Sequence, residues 1–466
     1  MRYQKHNPCG ECFKFSSHCK DAHQCDGIRK PLRSYYGIRL TADGFDCALP
    51  VTIDSHSKCS YNCIYCFSDN ITGHREHTED VGQTRLNILE QIFSGNSDSP
   101  KVKLFRKALR YDAKRNGYPC PVQLGGLCDP CDNIERNQGW LLDFIKLAIK
   151  YRQPVRMSTK GVIFLVDEYL NELKKAPELF WVAFSMVSPD DDLMKLIDVG
   201  APLPSERIRC MKALSDIGVK TSLRFRPMLP HVSDKTAKYP HAYRTLIEMS
   251  ADAGAKAISY ECAFYPSAIP KEKKDQWQAM ERITGVPLKK VYQSFGKFMA
   301  CQRPSYLWTE GIMHAVKEEA VKNGLQVGVS DPVWKQLTEA GCCCGIMPDD
   351  PVFGNWEIEN ATNALLIGKR TGNPITIEQV MPRWADECLS VNMIAHSAGA
   401  TGMYRRRHET WGDLIRKNWN STATQRCVMN YFQGALQITG KDKNGNNIYK
   451  YKGLERKHLK APFWSV

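Results

Sequence analysis

The chain has 466 residues, of which 42% are hydrophobic and 24% charged, a composition typical of soluble globular proteins and not of disordered or fibrous ones. No stretch has the uninterrupted apolar length of a membrane span, and the first residues lack the apolar segment of a signal peptide, so we expect a cytoplasmic protein without membrane association. In that compartment, the 19 cysteines are expected to be metal ligands and reduced thiols and not a disulfide framework.

The net charge of +14 is concentrated at the two ends of the chain. Residues 1–39 carry 8 Lys/Arg and 3 Asp/Glu, and residues 401–466 carry 13 and 4, so the stretch between them is neutral. This distribution fits a catalytic body whose ends contact a polyanion, because neutralising phosphates supplies affinity that is independent of sequence. A solvated basic surface is the alternative interpretation.

The first 44 residues form a cysteine-rich segment with little apolar periodicity. Its thiols belong to Cys9, Cys12, Cys19 and Cys25. Four thiols in a short polar segment cannot build a core, so a bound metal is the simplest reason for the segment to be ordered. The spacing leaves open whether that metal is zinc or a second iron-sulfur cluster, and unrelated thiols in a loose arm are the alternative.

A second group of thiols follows an apolar run that predicts a strand at 48–53. Cys59, Cys63 and Cys66 stand in a C-x3-C-x2-C loop. Thiolates favour zinc, copper(I) or iron-sulfur centres, and three protein ligands leave one metal position open for another molecule. A structural zinc loop that borrows His56 or Cys47 as its fourth ligand is the alternative, although structural zinc sites are closed.

Strand-like and helix-like stretches alternate from residue 47 onward. Helices are predicted at 84–93, 102–114, 140–151, 167–175, 205–217 and 243–253, and strands at 122–124, 155–158, 181–186, 221–225 and 257–260. This alternation predicts an α/β protein with a parallel sheet and crossover helices. In a parallel barrel, the residues that end each strand line the active site.

The thiol loop, with Tyr65 before its last cysteine and Phe67 after it, resembles that of the radical S-adenosylmethionine (SAM) superfamily. The resemblance implies a partial (βα)6 TIM-type barrel, a 4Fe-4S cluster on the three cysteines, and SAM bound at the open iron. It also implies an electron donor such as flavodoxin or ferredoxin. Auxiliary clusters occur in this superfamily, which keeps a second cluster among the interpretations of the N-terminal cysteines.

The ends of the predicted strands carry small residues, hydroxyls and cations. Gly125 and Gly126 allow backbone to approach a ligand, and Lys160, Ser185, Arg224 and Arg226 suit a carboxylate and a ribose. The resemblance implies that Lys160 contacts the SAM carboxylate and Ser185 its ribose or amino group, and Tyr65 is assigned to the cofactor pocket with them. The family pattern is Gly-Gly-Glu, whereas this chain has Leu127 at the third position.

Residues 45–265 also resemble the spore photoproduct lyase subgroup and its relatives described as DNA repair photolyases. The resemblance is carried by Asp129-Pro130 with Glu135-Arg136, Thr159-Lys160, Ala201-Pro202 ahead of a helix with Arg207, and Arg226-Pro227. It implies that a thiol near residue 128 returns a hydrogen atom to a product radical. Cys128 and Cys131 are the candidates, and ordinary buried cysteines are the alternative.

Residues 266–370 are predicted to complete the barrel and add a cysteine-rich extension. Helices are predicted at 277–283, 288–298 and 312–323, and a strand at 326–328. The run Cys342-Cys343-Cys344 follows, and one or two of these thiols could bind metal while the third packs.

The last region, residues 371–466, mixes aromatic and basic residues and has a predicted hairpin turn at 442–446. Aromatic faces stack on bases while cations contact phosphates, so the pattern predicts a nucleic-acid interface. A helical cap with buried tryptophans is the alternative. The predicted contact residues are Arg405, Arg406, Arg407, Trp411, Arg416, Lys417 and Trp419.

The sequence therefore predicts a radical SAM enzyme that abstracts hydrogen from a nucleic-acid base, most simply DNA, in lesion repair or base modification. A radical SAM enzyme for a peptide or small metabolite is the first alternative. A nucleic-acid-binding protein held together by zinc, with no catalytic activity, is the remote one.

Overall fold

The computed structural model describes residues 37–40, 48–56, 59–66, 82–263, 265–266, 271–294, 301–354, 360–387, 410–422, 428 and 435–453. The predictions for Cys9, Cys12, Cys19 and Cys25, and for Arg405, Arg406 and Arg407, fall outside these residues. The four-region division of the chain stays a prediction.

Thirteen strands are present in the described part of the chain. They are β1 Ile38–Leu40, β2 Val51–Ile53, β3 Val122–Leu124, β4 Val155–Thr159, β5 Phe180–Ser185, β6 Lys220–Met228, β7 Ala257–Cys262, β8 Tyr265–Pro266, β9 Tyr292–Ser294, β10 Cys301–Pro304, β11 Gln326–Val329, β12 Leu436–Lys441 and β13 Asn447–Tyr451.

The α-helices alternate with the first of these strands and then continue through the C-terminal half. They are α1 Gly82–Ser94, α2 Pro100–Ala108, α3 Glu135–Gln138, α4 Trp140–Lys150, α5 Asp167–Leu173, α6 Asp191–Ile197, α7 Pro204–Asp216, α8 Ala242–Asp252, α9 Lys271–Thr284, α10 Leu288–Val291, α11 Tyr306–Lys322, α12 Ala361–Thr371 and α13 Trp411–Asn420.

One eight-stranded sheet organises the molecule, in the order β1-β2-β3-β4-β5-β6-β7-β11. All its neighbours are parallel except β1, which pairs antiparallel with β2 at the edge. The α/β class and the alternating order agree with the sequence prediction, and the sheet is consistent with a radical SAM partial barrel. Because parallel neighbours need crossover connections, their C-terminal ends meet at one edge.

The two faces of this sheet differ in chemistry. Apolar side chains such as Met157, Phe184 and Phe225 share a buried core with Phe105, on α2, and other apolar residues of the helices. The opposite face, here called the inner face, carries polar residues at the alternate positions, and these are named below with their contacts. Strand residues point alternately to the two faces, so the period of two in β4, β5 and β6 produces this separation.

The loop at 342–345 closes the inner face near the N-terminal ends of the strands, together with Trp181 and Phe353. Trp181 donates a hydrogen bond from Nε1 to Ser222 Oγ over 3.0 Å and packs edge-on against Phe353, with centroids 5.4 Å apart. Gly328, on β11, lies against the backbone of residues 342–345, where a Cβ atom would be 2.4 Å from Gly345 N. Ser259 Oγ donates to Cys343 O over 2.6 Å. The consecutive cysteines thus lie inside the fold.

The prediction of one helix over 288–298 is wrong. A helix of only four residues, Leu288–Val291, is followed by β9, which pairs antiparallel with β10. Its residues satisfy their backbone groups in a small three-stranded sheet that includes β8, and this pairing outweighs a weak helical pattern. Strand β1 was not predicted either, because a run of three residues is too short to show a period.

The predicted hairpin is confirmed, with Asp442 accepting turn hydrogen bonds between β12 and β13. It packs on α13 through Trp419, whose indole donates to Asn447 O over 2.6 Å and lies edge-on against Tyr449. Within the described residues, no helix is both long and apolar enough to cross a bilayer.

Candidate active site

The loop that carries Cys59, Cys63 and Cys66 lies at the C-terminal end of β2, and the loop after β3 fastens its first half. Asp132 accepts hydrogen bonds from Ser60 N over 2.7 Å and from His56 Nε2 over 3.1 Å. Tyr61 donates from its hydroxyl to Cys131 O over 2.7 Å. These bonds hold the thiol loop against the neighbouring strand end.

The second half of the thiol loop is fastened by the turn that follows α6. Ile64 N donates to Ile197 O over 3.0 Å, and Gly200 N donates to Tyr61 O over 2.9 Å. Tyr65 donates from its hydroxyl to Asp198 Oδ1 over 2.7 Å. A Cβ atom on Gly200 would lie 3.0 Å from Tyr61 O, so glycine permits this close approach.

Asp198 is the centre of a buried charge network that joins the thiol loop to two strands. It accepts from Lys160 Nζ over 2.6 Å and from Arg207 Nη2 over 2.9 Å, and Arg207 also donates to Ser185 O. The Lys160 ammonium also contacts the Tyr65 hydroxyl and ring. Burial alone would raise the pKa of Asp198, but Lys160 and Arg207 outweigh burial and hold that pKa below its usual range.

The three thiols suit a four-iron cluster better than a single zinc ion. Three thiolates leave one iron of such a cluster open, whereas structural zinc sites are closed by four protein ligands. His56, the suggested fourth zinc ligand, is hydrogen-bonded to Ser55 and Asp132; Cys47 lies outside the described residues. The donor set therefore fits the cluster.

Burial favours the protonated form of two of the thiols, Cys59 and Cys63. Burial raises the pKa of Cys63 to about 12 although Lys160 opposes the shift. Burial, followed by the charge of Asp129, raises the pKa of Cys59 further. Metal binding must therefore displace protons from both thiols.

The glycine loop after β3 is bound tightly to the end of β2. Asp54 Oδ1 accepts from Gly126 N over 2.8 Å and from Leu127 N over 2.7 Å, and Asp54 pairs with Arg39 on β1. Gly125 has a φ of 79° and lies against Ser158 O, which explains the need for glycine. Leu127 stands where the family pattern has glutamate, so the loop lacks that carboxylate. The amides of Gly126 and Leu127 are bound by Asp54.

The two candidate hydrogen donors have different environments. Cys128 lies at the strand edge with its sulfur 3.5 Å from Ser55 Oγ and 3.8 Å from Asp54 Oδ1. Cys131 belongs to the apolar core and packs against Gly161, where a Cβ atom would lie 2.2 Å from Cys131 O. Burial and Asp54 raise the pKa of Cys128 to about 12. Cys128 therefore lies beside Asp54 at the end of β2, whereas Cys131 is packed in the core.

Ser185, Arg224 and Arg226 project from the inner face. Arg224 donates from Nη1 to Ser185 Oγ over 3.2 Å, and Arg226 Nη1 lies 3.7 Å from Glu261 Oε2. The structure thus brings these predicted pocket residues together near the end of β5 and β6. Lys160 lies at the same edge but is bound to Asp198.

The four predicted nucleic-acid contacts in the described part of the chain differ in their surroundings. Trp419 is 1% exposed and belongs to the core. Arg416 forms a double hydrogen bond with Asp386, at 2.8 and 2.9 Å. Lys417 is exposed, while Trp411 begins α13. The alternative of a helical cap with a buried tryptophan therefore describes α13 better than a bare interface does.

Sequence reasoning missed the carboxylates that assemble the site. Asp54, Asp132 and Asp198 were not assigned roles, although each follows a predicted strand or lies in a loop at the strand edge. The Asp198-Val-Gly200 turn ahead of α7 was the available signal, because a lone acid before glycine between helices is typical of a polar turn with a specific partner.

Comparison with known families confirms the class of domain. Residues 54–239 match the radical SAM superfamily. This range contains the thiol loop, the glycine loop, Lys160 and the Asp198 network. Residues 54–239 are therefore a radical SAM domain, the enzyme class that the sequence predicts, and the class implies a 4Fe-4S cluster and SAM.

Similar individual proteins are distant. Uncharacterized proteins of Mycobacterium bovis and Mycobacterium tuberculosis are 22% identical over 216 residues, and the match covers 46% of this chain and 58% of theirs. The chain thus spans little more than half the length of these curated relatives.

Among solved structures, spore photoproduct lyase complexed with dinucleoside spore photoproduct is 12% identical, with a TM-score of 0.43, covering 62% of this chain and 78% of that one. A variant of the lyase with bound AdoMet and the dinucleoside gives 13% and 0.43 over the same shares. Coproporphyrinogen III oxidase from Escherichia coli gives 12% and 0.27, covering 56% and 57%.

Proposed function

We propose that the protein abstracts a hydrogen atom from a nucleic-acid base and returns one from a cysteine thiol. The observation that carries the proposal is the position of Cys128, a protonated thiol at the strand edge, bound to the same carboxylate as the glycine loop. When bound to Cys59, Cys63 and Cys66, a four-iron cluster with SAM supplies a 5′-deoxyadenosyl radical.

The chain's own residues prepare and finish that reaction. Asp132 and Asp198 hold the thiol loop from two sides, which keeps the cluster ligands in place. The thiol of Cys128 would give its hydrogen atom to the carbon radical of the substrate, forming a C–H bond and leaving a sulfur radical. One electron and one proton, the electron from a donor of the flavodoxin or ferredoxin class, would restore the thiol.

Nucleic acid is proposed as the substrate because the chain ends hold the whole charge excess and the domain resembles DNA lesion enzymes in sequence. A small anionic metabolite or a peptide is the second candidate. It is favoured by the ion pair of Arg416 with Asp386 and the burial of Trp419, which remove two side chains from the predicted interface.

The test compares two variants on anaerobically purified protein supplied with SAM, dithionite and lesion-containing DNA. Cys59/Cys63/Cys66→Ala should lose iron and 5′-deoxyadenosine formation. Cys128→Ala should keep both, because Cys128 is no cluster ligand, and should lose transfer of solvent deuterium from the thiol into the DNA product. Cys120→Ala, a buried core cysteine, is the control and should keep all three.

The outcomes separate the parts of the proposal. Iron and SAM cleavage retained by the triple variant would end the radical SAM assignment of these thiols. Deuterium transfer unchanged in Cys128→Ala would exclude Cys128 as donor. Retention of the protein on immobilised DNA is measured at several salt concentrations. Weak retention that does not change with salt would exclude nucleic acid as the substrate, because phosphate contacts give steep salt dependence.

A further inference from the structure

Several carboxylates near the C-terminal edge of the large sheet are bound by the protein itself. Asp331, which follows β11, accepts a hydrogen bond from Arg303 Nη1 over 2.9 Å. Asp129 accepts one from Thr159 Oγ1 over 2.6 Å. Carboxylates held in this way are committed to the fold, because their acceptor positions are in use. The others with at least two such bonds are Asp54, Asp132 and Asp198.

Glu261, the fifth of the six residues of β7, is different. Its side chain is 19% exposed, and within the described part of the chain no group donates a hydrogen bond to its carboxylate. Arg226 Nη1 lies 3.7 Å from Glu261 Oε2, which is longer than a hydrogen bond. A largely buried carboxylate is costly without such bonds, so this one is a candidate for contact with a ligand.

The side chain of Glu261 belongs to the inner face. Ser259, two residues earlier, donates to Cys343 O over 2.6 Å at the closed end of that face. Tyr260 and Cys262 lie in the apolar core on the other side of the sheet. Because strand residues alternate, Glu261 shares the side of Ser259 and lies about 7 Å nearer the C-terminal edge. That edge carries the thiol loop, and in parallel barrels it holds the active site.

The charges around Glu261 indicate the kind of group that it can bind. Burial raises the pKa of Glu261, and the positive charge of Arg226 opposes that shift. Arg224 and Arg303 also act on Glu261, against the negative charge of Asp331. A metal ion or an ammonium group would be repelled by these arginines, and an ionised carboxylate cannot donate to an acceptor. A neutral N–H or O–H group remains as the matching partner.

We propose that Glu261 determines base specificity by accepting a hydrogen bond from a neutral N–H group of the substrate base. The inference rests on the proposed function, because it takes a nucleic-acid base as the substrate. Base edges differ in the positions of their N–H groups, and a carboxylate accepts only where such a group is present. A base without an N–H group at that position would leave the partly buried carboxylate unpaired, which lowers its affinity.

The ribose hydroxyls of SAM are the other neutral donors that could reach this edge. The residues assigned to SAM, Lys160 and Ser185, lie at the ends of β4 and β5, whereas Glu261 lies on β7, two strands beyond β5 in the sheet. This separation favours the substrate over the cofactor as the partner of Glu261. The experiment measures binding of both molecules and thereby separates the two sources.

The experiment measures binding of short single-stranded DNA oligonucleotides, each with one base, A, C, G or T, among abasic positions. Fluorescence anisotropy is recorded with the anaerobically purified holoenzyme and SAM, without reductant. We expect wild type to prefer one base and Glu261→Met to bind that oligonucleotide about tenfold more weakly, since a hydrogen bond to a charged group is lost. Binding of the other oligonucleotides should not change. Glu168→Met, on the exposed surface, is the control and should keep the preference.

Methylation of the N–H groups of the preferred base tests the contact itself. It should weaken binding to wild type about tenfold and have no effect on Glu261→Met, in which the contact is already absent. Glu261→Gln keeps the shape and one acceptor oxygen, so its loss of affinity should be smaller. Its melting temperature should equal that of wild type, which separates lost binding from unfolding. Radiolabelled SAM should bind both Glu261 variants as it binds wild type.

Three results would overturn the inference. The first is a base preference that is absent in wild type or unchanged in Glu261→Met. The second is equal weakening by methylation in wild type and Glu261→Met. The third is loss of SAM binding in both Glu261 variants, which would assign the carboxylate to the cofactor. Failure of the proposed nucleic-acid substrate is recognised differently, because wild type would then bind none of the oligonucleotides.

Discussion

The charge network at the strand edge and two arginines of the inner face, Arg156 and Arg224, contain the same kinds of side chain in opposite balance. At the edge, Lys160 and Arg207 share the buried carboxylate of Asp198, at 2.6 and 2.9 Å. On the inner face, Arg156 and Arg224 have no carboxylate within hydrogen-bond distance among the described residues. Removing one partner of a buried ion pair leaves an uncompensated charge, whereas removing an unpaired buried charge does not.

The sharpest way to break this comparison is to remove one buried arginine from each group. Arg207→Met leaves Asp198 with fewer partners and should lower the free energy of unfolding by about 3–5 kcal/mol. Arg156→Met removes an uncompensated charge and should change it by less than about 1 kcal/mol, or raise it. Denaturant unfolding of the two variants measures the difference.

Equal destabilisation by the two substitutions would contradict the distinction. It would mean that Arg156 is as well matched as Arg207 and that its role is structural. Arg209→Met, a neighbour of Arg207 for which the structure shows no such pair, controls for the loss of an arginine from α7.

The pH dependence of stability sharpens the same comparison from the carboxylate side. Because Lys160 and Arg207 hold the pKa of Asp198 below its usual range, its contribution is fully present above the ordinary carboxyl pKa of about 4. That contribution is lost as the pH falls through the lower folded-state pKa. Asp198→Asn should therefore be less stable than wild type at pH 7, and the difference should shrink as the pH falls below about 4.

Urea unfolding at several pH values follows this difference. A gap between wild type and Asp198→Asn that grows on acidification would contradict the assignment. Asp216→Asn is the control, since its pair with Lys212 is exposed and such pairs contribute about 0–1 kcal/mol.

The smallest expected effect concerns α13, where a buried and an exposed side chain are close in sequence. Lys417→Ala should change stability by less than about 0.5 kcal/mol, and it should reduce the salt slope of DNA binding by about one if Lys417 contacts a phosphate. Retention on DNA at several salt concentrations measures the slope. Trp419→Ala is the contrasting variant and should act on stability, because it opens a cavity beneath the hairpin.

Local features of the site were accessible from the sequence. The three thiols lie within eight residues of one loop, so their spacing reports their chemistry without knowledge of the fold. The alternation from β2 to β7 likewise predicts parallel strands, and the strand ends therefore indicated Gly125, Ser185 and Arg224 as residues of one edge. The radical SAM class follows from these features and is confirmed by the family match.

Features that depend on which elements become neighbours could not be read in the same way. Asp198 meets Lys160 only because the turn after α6 folds over the end of β4, and the two residues are 38 positions apart. A Trp among basic residues is equally compatible with a nucleic-acid surface and with a core, and packing against Tyr449 decided for the core. The surroundings of Arg156 likewise appear only in the structure, because its neighbours Gln123 and Trp181 lie on other strands.

The sequence by itself determined the ligand chemistry, the alternating α/β order and the basic ends, because these depend on residue type and on spacing along the chain. The tertiary structure decided which charges are matched, which cysteine reaches the strand edge and which tryptophan is buried. Those properties depend on contacts between residues far apart in sequence, where burial and nearby charge set the free energy of each group.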